Sequence, residues 1–383
     1  MPLSSFVQKE FAIGFWVEPP FDRRAEARYR EIKEAGFNLV LAGFSGAEPT
    51  ALVRVLRRTG LNAIVTAKGD VFTDWPDDPV VLGYSLRDEP GAADFPALKT
   101  RVEAVRRERP GRLGYINLFP NYASPAQLGA PTYEEYVRRF LDEVRPDVLS
   151  MDHYPIFLPD RDGRDRYCEN LATMREHSLR ARVPFWNFFN SMPYGPHTDP
   201  TEAQLRWQVF ASLCYGAKGV LYFCYFTPRG DEFPKGGAII ATDGTKTRHY
   251  AHAQRINALL KAYGPTLMRT TTTGVYRVGP TDRPADLLKG SGIVDLKSAP
   301  VDPPGDYLVG SFRHQSGRRA VLLMNYRFAF SAWPTVVFDA PVEAVREVDP
   351  TTGRAVPVRD DSPDMPGLQI SLADGEGRLF LLP

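Results

Sequence analysis

Short apolar runs alternate with amphipathic stretches along the first two thirds of the chain. Eight runs of strand length stand at residues 11–17, 37–44, 61–67, 80–87, 112–119, 147–154, 184–190 and 219–226. The stretches between them have helical periodicity and readable ends: 23–35 closes on Gly36, 50–59 on Gly60, 133–144 stops before Arg145-Pro146, and 202–215 stops at Gly216. Glycine at such ends accepts the left-handed turn that terminates a helix. The link at 69–79 contains Trp75-Pro76-Asp77-Asp78-Pro79 and predicts a short helix or none. Parallel strands need crossover connections, so eight strands alternating with helices over a span of about 250 residues predict a closed (β/α)₈ TIM barrel. Its last helix is expected over 249–263, ending at Gly264-Pro265, which gives a catalytic barrel at 1–268.

Beyond that point strands follow one another without helices, at 273–279, 306–313, 319–327, 335–340, 342–348 and 367–382. Turns such as Gln315-Ser316-Gly317 and Thr351-Thr352-Gly353 separate them. This is the pattern of an all-β sandwich, expected as an accessory domain over 269–383, with 281–304 as a surface loop rich in Asp, Pro and Gly.

Composition narrows the function classes. The 383 residues carry 47 basic and 46 acidic side chains, a formal charge of +1, so no global field draws in nucleic acid or an anionic membrane. A neutral partner, recognised locally, fits better. Aromatic residues make up 12% of the chain; most suit a large core, and some suit flat platforms for sugar rings. Cys168, Cys214 and Cys224 cannot pair completely and form no CxxC motif. Residues 1–10 hold no basic segment leading into a long apolar run, and no run reaches membrane-span length, so the expectation is a soluble protein, cytoplasmic or secreted with its signal removed.

Active sites of such barrels are built at the C-terminal strand ends. On the fourth strand, alternation assigns Val80, Leu82, Tyr84 and Leu86 to the helix side and Gly83, Ser85, Arg87 and Glu89 to the interior, with Glu89 at the mouth. Gly83 and Ser85 are expected to leave space beneath it, and Arg87 to orient its carboxylate; the alternative is a structural Arg87–Glu89 ion pair at the rim. On the sixth strand Ser150, Asp152 and Tyr154 share a face, and His153 joins them if the strand has ended. Cleaving a glycosidic bond requires one group to protonate the leaving oxygen and a second carboxylate as nucleophile or base. Asp152 is the first candidate for the second role, or else a buried aspartate that only shapes the site.

Glu18 ends the first strand after Trp16, a candidate stacking platform. Asn187 and Asn190 on the seventh strand, Tyr222 and Tyr225 on the eighth, Lys68 after the third, and Asn117 and Asn121 around the end of the fifth are candidate hydroxyl-binding groups. Asp231-Glu232 offers carboxylates in the loop after the eighth strand. The six histidines show no HxH or HExxH spacing, Gly43-Phe44-Ser45-Gly46 lacks the lysine and spacing of a phosphate loop, and no GxSxG elbow occurs. No cofactor and no metal are expected.

The segment Asp88-Glu89-Pro90 at the end of the fourth strand resembles the Asn-Glu-Pro signature of the large clan of retaining barrel glycoside hydrolases, which includes β-galactosidases and cellulases. The resemblance implies that Glu89 is the acid/base and that Asp88 stands where an Asn commonly binds a substrate hydroxyl. It also implies a nucleophilic Glu at the end of the seventh strand. Phe185-Trp186-Asn187-Phe188-Phe189-Asn190 contains none, so the second carboxylate has moved, the protein inverts, or it no longer cleaves. The expected function is hydrolysis of an O-glycosidic bond of an oligo- or polysaccharide. The alternatives are a non-catalytic carbohydrate-binding barrel and a sugar-acid lyase or isomerase using a metal or Lys68.

Overall fold

The structure, a computed structural model, describes residues 5–67, 69, 71–158, 161–230, 233–234, 237–298 and 304–383. Eight parallel strands occupy the positions of the eight apolar runs: β1 (Ala12–Phe15), β2 (Leu39–Ala42), β3 (Asn62–Thr66), β4 (Val81–Asp88), β5 (Leu113–Leu118), β6 (Leu149–Asp152), β7 (Phe185–Asn190) and β8 (Gly219–Phe223). The sheet runs β1-β8-β7-β6-β5-β4-β3-β2, the order of a barrel opened at one seam. Helices α1 (Ala25–Glu34), α2 (Pro49–Thr59), α3 (Phe95–Glu108), α4 (Pro125–Leu128), α5 (Tyr133–Val144), α6 (Arg164–Ala181), α7 (Glu202–Cys214) and α8 (Arg248–Leu267) supply the crossovers. Between β3 and β4 the described residues hold only a 3₁₀ turn, Phe72–Asp74. Helix α8 runs past its expected end and carries Pro265 in its last turn. There the missing proline N–H forfeits a single bond and no long helix has to continue beyond it.

The barrel interior is a packed core, as the fold requires. Leu39 and Leu41 from β2, Ile64 from β3, Leu113 from β5, Trp186 from β7 and Leu221 from β8 are all buried in one cluster. The seam between β1 and β2 is closed by one side chain. Asn38 accepts a hydrogen bond from the Ile13 N–H through Oδ1 (2.8 Å) and donates through Nδ2 to the Phe11 carbonyl (2.9 Å). Its backbone N–H donates to the Ile13 carbonyl (3.0 Å). One asparagine thus satisfies strand-edge groups that a regular ladder would otherwise pair.

Dense packing groups residues 1–199 with 219–257, and 200–218 with 258–383. The second group therefore takes α7 from the sequence expected to form the barrel domain. Its sheet is antiparallel, in the order β15 (Ala355–Pro357), β14 (Arg346–Val348), β16 (Gly377–Leu382), β12 (Arg319–Asn325), β11 (Tyr307–His314), β9 (Thr270–Val278). A two-stranded sheet, β10 (Ile293–Lys297) with β13 (Thr335–Phe338), accompanies it. Ile293, Leu296, Val336 and Phe338 from the small sheet share a buried cluster with Val309, Val321, Leu323 and Phe380 from the large one, which makes a sandwich core.

Two expectations fail locally here. The segment 281–304 is not simply a loop, because it holds a short helix, Pro284–Leu287, and β10, whose Ile293 and Leu296 are buried. The expected strand over 367–382 begins only at Gly377, because a turn at Asp374-Gly375 interrupts it. Helix α7 has ten of its thirteen residues buried, Trp207 and Phe210 among them. It lies so close to β11 that a Cβ on Gly310 would sit 2.5 Å from the Cys214 carbonyl oxygen.

Asn38→Leu, which keeps the backbone bond and removes both side-chain bonds, should destabilise the barrel by about 2–3 kcal/mol. Urea unfolding followed by tryptophan fluorescence measures this; an unchanged midpoint would show that the seam closes without Asn38.

Candidate functional site

At the strand ends a pocket of about 500 Å³ is lined by residues from all eight strands or the loops that follow them, including Asp88, Glu89, Asn117, Asp152 and Tyr154. Its size and mixed lining are those of a small-molecule site. Helix-crossover connections place these ends side by side, so residues distant in sequence converge here.

Strand β4 does not follow simple alternation. Its pairing shifts register against β3 between Val81 and Gly83, and against β5 between Ser85 and Arg87. Each shift inserts one extra residue and re-aims the side chains beyond it. Consequently Leu86, expected on the helix side, lines the pocket together with Ser85, Arg87, Asp88 and Glu89. Gly83 does not create interior space: an added Cβ would lie 2.3 Å from the Leu113 carbonyl oxygen, so the glycine permits close approach of β5. Glu89 has φ +45°, a left-handed conformation uncommon for a residue with a side chain, and its N–H donates to the Asn117 carbonyl (2.8 Å). Such conformations cluster at functional sites. Arg87 does not orient Glu89: at the pocket rim its guanidinium is largely exposed and its ion pair is with Asp94 (3.9 Å).

Three carboxylates converge. Asp88 and Asp152 each accept from Asn117 Nδ2, at 3.2 and 2.8 Å. Asn117 Oδ1 accepts from Ser150 Oγ (3.0 Å), which in turn meets the Tyr115 hydroxyl (2.9 Å). Desolvation pushes the Glu89 carboxyl up to about 7, with the charge of Asp88 adding to the effect. Burial also raises Asp152 well above the usual carboxylate range, reinforced by Glu89 and Asp88 and opposed by hydrogen bonds from Asn117 and Tyr154. Asp88 is raised less, again by desolvation, against the Asn117 hydrogen bond and the charge of Arg87. Like charges in a low-dielectric pocket cannot all be ionised, so the cluster holds a proton near neutrality.

Aromatic rings form the walls. Trp16 stacks on Phe223 with centroids 5.4 Å apart and meets the edge of Phe44 at 6.4 Å. Tyr194 packs against Tyr154 and Phe223 at 5.6 and 4.9 Å. Tyr122 completes the lining; burial raises the pKa of its hydroxyl, as it does for Tyr154 and Tyr194, so all three remain O–H donors at neutral pH. Phe44, Tyr122, Phe188, Tyr194 and Phe223 were not singled out in the sequence. The available signal was an aromatic residue within a few positions of a strand end.

Several expected residues lie elsewhere. Glu18 is buried outside the lining, where Oε1 accepts from the N–H groups of Gly43, Phe44 and Ser45 (2.8, 2.9 and 2.9 Å) and Oε2 from the Tyr29 hydroxyl (2.7 Å). With both oxygens engaged it holds the loop that presents Phe44. His153 turns away from the pocket and bonds Asn170 (3.0 Å); burial holds it down to about 3, so it is neutral, and its ring carries the edge of Tyr122 at 5.0 Å. Asn187 donates to the Tyr167 hydroxyl (2.6 Å) and Asn190 to the Met192 carbonyl (2.6 Å). The Tyr222 hydroxyl donates to Asn257 (2.9 Å), and Tyr225 stacks on Phe15. Asn121 bonds Asn170 and the Arg166 carbonyl. These groups face the layer between sheet and helices, or the loops beside it. Lys68 and Asp231-Glu232 lie outside the described residues. Among the described residues no group of three or more His, Cys, Asp or Glu could hold a metal, and no helix is long and apolar enough to cross a membrane.

The sequence matches no protein-family model and no curated protein. Solved structures do match. A β-galactosidase from Bacillus circulans sp. alkalophilus superposes with a TM-score of 0.62 at 10% identity, over 98% of this chain and 99% of that one. A GH42 β-galactosidase from G. stearothermophilus gives 0.57 at 9% identity, over 97% and 98%. The β-galactosidase from Rahnella sp. R3 gives 0.53 at 13% identity over 71% of this chain, which spans 59% of that one.

The chain has the fold of barrel glycoside hydrolases. On that fold the end of β4 carries Glu89, whereas the end of β7 and the loop after it, Asn190-Ser191-Met192-Pro193-Tyr194, contain no carboxylate.

Glu18→Ala should release the Gly43–Ser45 loop and destabilise the barrel by about 3 kcal/mol or more, since three backbone donors and a tyrosine hydroxyl lose their acceptor. Thermal unfolding together with hydrogen exchange at residues 43–45 measures it. Exchange as slow as in the wild type would show that the loop is held by other contacts.

Proposed function

We propose that the protein hydrolyses an O-glycosidic bond, with residues 1–268 as the catalytic barrel and 269–383 as an accessory β domain. The observation that carries this reading is Glu89: a carboxyl raised to about 7 at the wall of an aromatic pocket, beside two further carboxylates. A carboxylic acid still protonated at neutral pH can donate to the leaving oxygen as the bond breaks. In this reading Asp152, supplied with hydrogen bonds by Asn117 and Tyr154 that favour its ionised form, is the second carboxylate, acting as nucleophile or as base toward water. Asp88 and the tyrosine hydroxyls bind sugar hydroxyls, and Trp16 and Phe44 offer ring faces. β-Galactosides are the first substrates to assay, because the solved structures of matching fold include β-galactosidases.

A second reading is carbohydrate binding without cleavage. One observation favours it: around the end of β7, where the family resemblance puts a nucleophile, Phe188 and Tyr194 line the pocket instead.

Glu89→Gln separates the two. Under hydrolysis it lowers kcat/KM on a responsive glycoside by about 10²–10⁴-fold. Wild-type activity falls as pH rises through about 7, where Glu89 loses its proton, and the variant loses that limb of the profile. Unchanged activity in the variant overturns the role of Glu89. Measurable sugar binding with no turnover across a broad glycoside panel supports the second reading.

A further inference from the structure

Asn117 touches all three acidic residues of the pocket. Its carbonyl accepts from the Glu89 N–H (2.8 Å), and its side-chain Nδ2 donates to Asp152 Oδ1 (2.8 Å) and Asp88 Oδ1 (3.2 Å). Proton directions along the chain behind it follow from the inventory of donors. Ser150 gives its one hydroxyl proton to Asn117 Oδ1, so Tyr115, whose burial keeps its hydroxyl protonated, donates to Ser150 Oγ. With Oδ1 accepting from Ser150, the amide is oriented, because a flip would turn Oδ1 toward Asp88 and Asp152, acceptor against acceptor. Its two N–H bonds then point at two carboxylates, one each. The third, Glu89, receives no side-chain donor from Asn117.

We propose that Asn117 is a positioning residue: its amide, locked by Ser150 and Tyr115, donates to Asp88 and Asp152 together and so leaves Glu89 as the carboxyl that carries the cluster's proton. This role rests on the hydrolytic reading for its effect on activity and on geometry alone for its effect on protonation. It replaces the substrate-hydroxyl role expected for Asn117, since both of its donor hydrogens are already engaged.

The titratable and charged groups lining the pocket are Arg87, Asp88 and Glu89 from β4, Tyr115 and Tyr122 from β5 and its loop, Asp152 and Tyr154 from β6 and its end, and Tyr194 after β7, and Tyr133 and Tyr136 on α5 lie behind them within electrostatic reach of the carboxylates. Strands β1, β2, β3 and β8 contribute Trp16, Leu41, Phe44, Thr66 and Phe223, none of them titratable, while Lys68 lies outside the described residues. Set among them, Asn117 donates to two of the carboxylates at once.

Asn117→Leu removes both donors at similar volume, and Ser150→Ala leaves the amide in place but unlocks its orientation. The first measurement is thermal unfolding as a function of pH. A carboxyl whose folded pKa is raised contributes stability below its unfolded pKa that is lost as pH rises through the folded value. Without Asn117 the ionised forms of Asp88 and Asp152 lose their donors, so Tm should fall more steeply with rising pH in Asn117→Leu than in the wild type, and by an intermediate slope in Ser150→Ala. A merely structural asparagine would lower Tm equally at every pH.

The second measurement is the pH profile of kcat/KM on an aryl glycoside. The acidic limb should move up by about one pH unit in Asn117→Leu, with kcat down by at least about tenfold and KM little changed. Parallel Tm slopes or an unmoved acidic limb overturn the proposal. If Asn117→Leu does not fold, Ser150→Ala decides by the same criteria. If the wild type turns over no glycoside, hydrolysis fails as a reading, and the Tm slopes still decide the role of Asn117.

Discussion

Three carboxyl groups share one aromatic-walled pocket, and the energy of ionising them together governs the rest of the site. In water Asp88, Glu89 and Asp152 would all be charged at neutral pH. Desolvation is the largest cause of the upward shift of each, and their mutual repulsion adds to it for Glu89 and Asp152. The fold offers compensation through the donor hydrogens of Asn117, and these reach only two of the three. An acid and its complementary base can therefore arise from chemically similar side chains, separated by which hydrogen bonds each receives.

The scaffold around this cluster is arranged to hold geometry that the strands alone would not supply. Register shifts in β4 carry Leu86 to Glu89 toward the mouth, and the left-handed conformation at Glu89 is tied to β5 through the Asn117 carbonyl. After β1, Glu18 ties the loop that bears Phe44 through one carboxylate oxygen and the Tyr29 hydroxyl through the other, and before β2 Asn38 closes the seam between β1 and β2. Glu18 and Asn38 thus act as internal fasteners, each engaged through both polar atoms of its side chain.

The architecture was legible in the sequence because strands buried on both faces read as continuous apolar runs, and eight such runs separated by helical patterns admit few arrangements. Asp88, Asn117, Asp152 and Tyr154 were legible as strand-end polar residues. The errors have physical causes. Alternation assumes an unbroken ladder, and the two register shifts in β4 violate it at Leu86. Glu18, Asn187 and Asn190 looked like site residues because a polar side chain near a strand end can serve a ligand or a neighbouring backbone equally well. Only contacts distinguish the two. The pocket's aromatic wall comes partly from loops, Tyr122 and Tyr194 among them, whose paths no periodicity encodes.

Infrared difference spectroscopy of the carboxyl C=O stretch, with pH raised through about 7, tests the central claim most directly, because it detects a protonated carboxyl without requiring turnover. The account predicts a carboxylic-acid band present below that pH, lost above it, and missing from Glu89→Gln. A band that persists unchanged in Glu89→Gln, or the lack of any such band in the wild type, would contradict it.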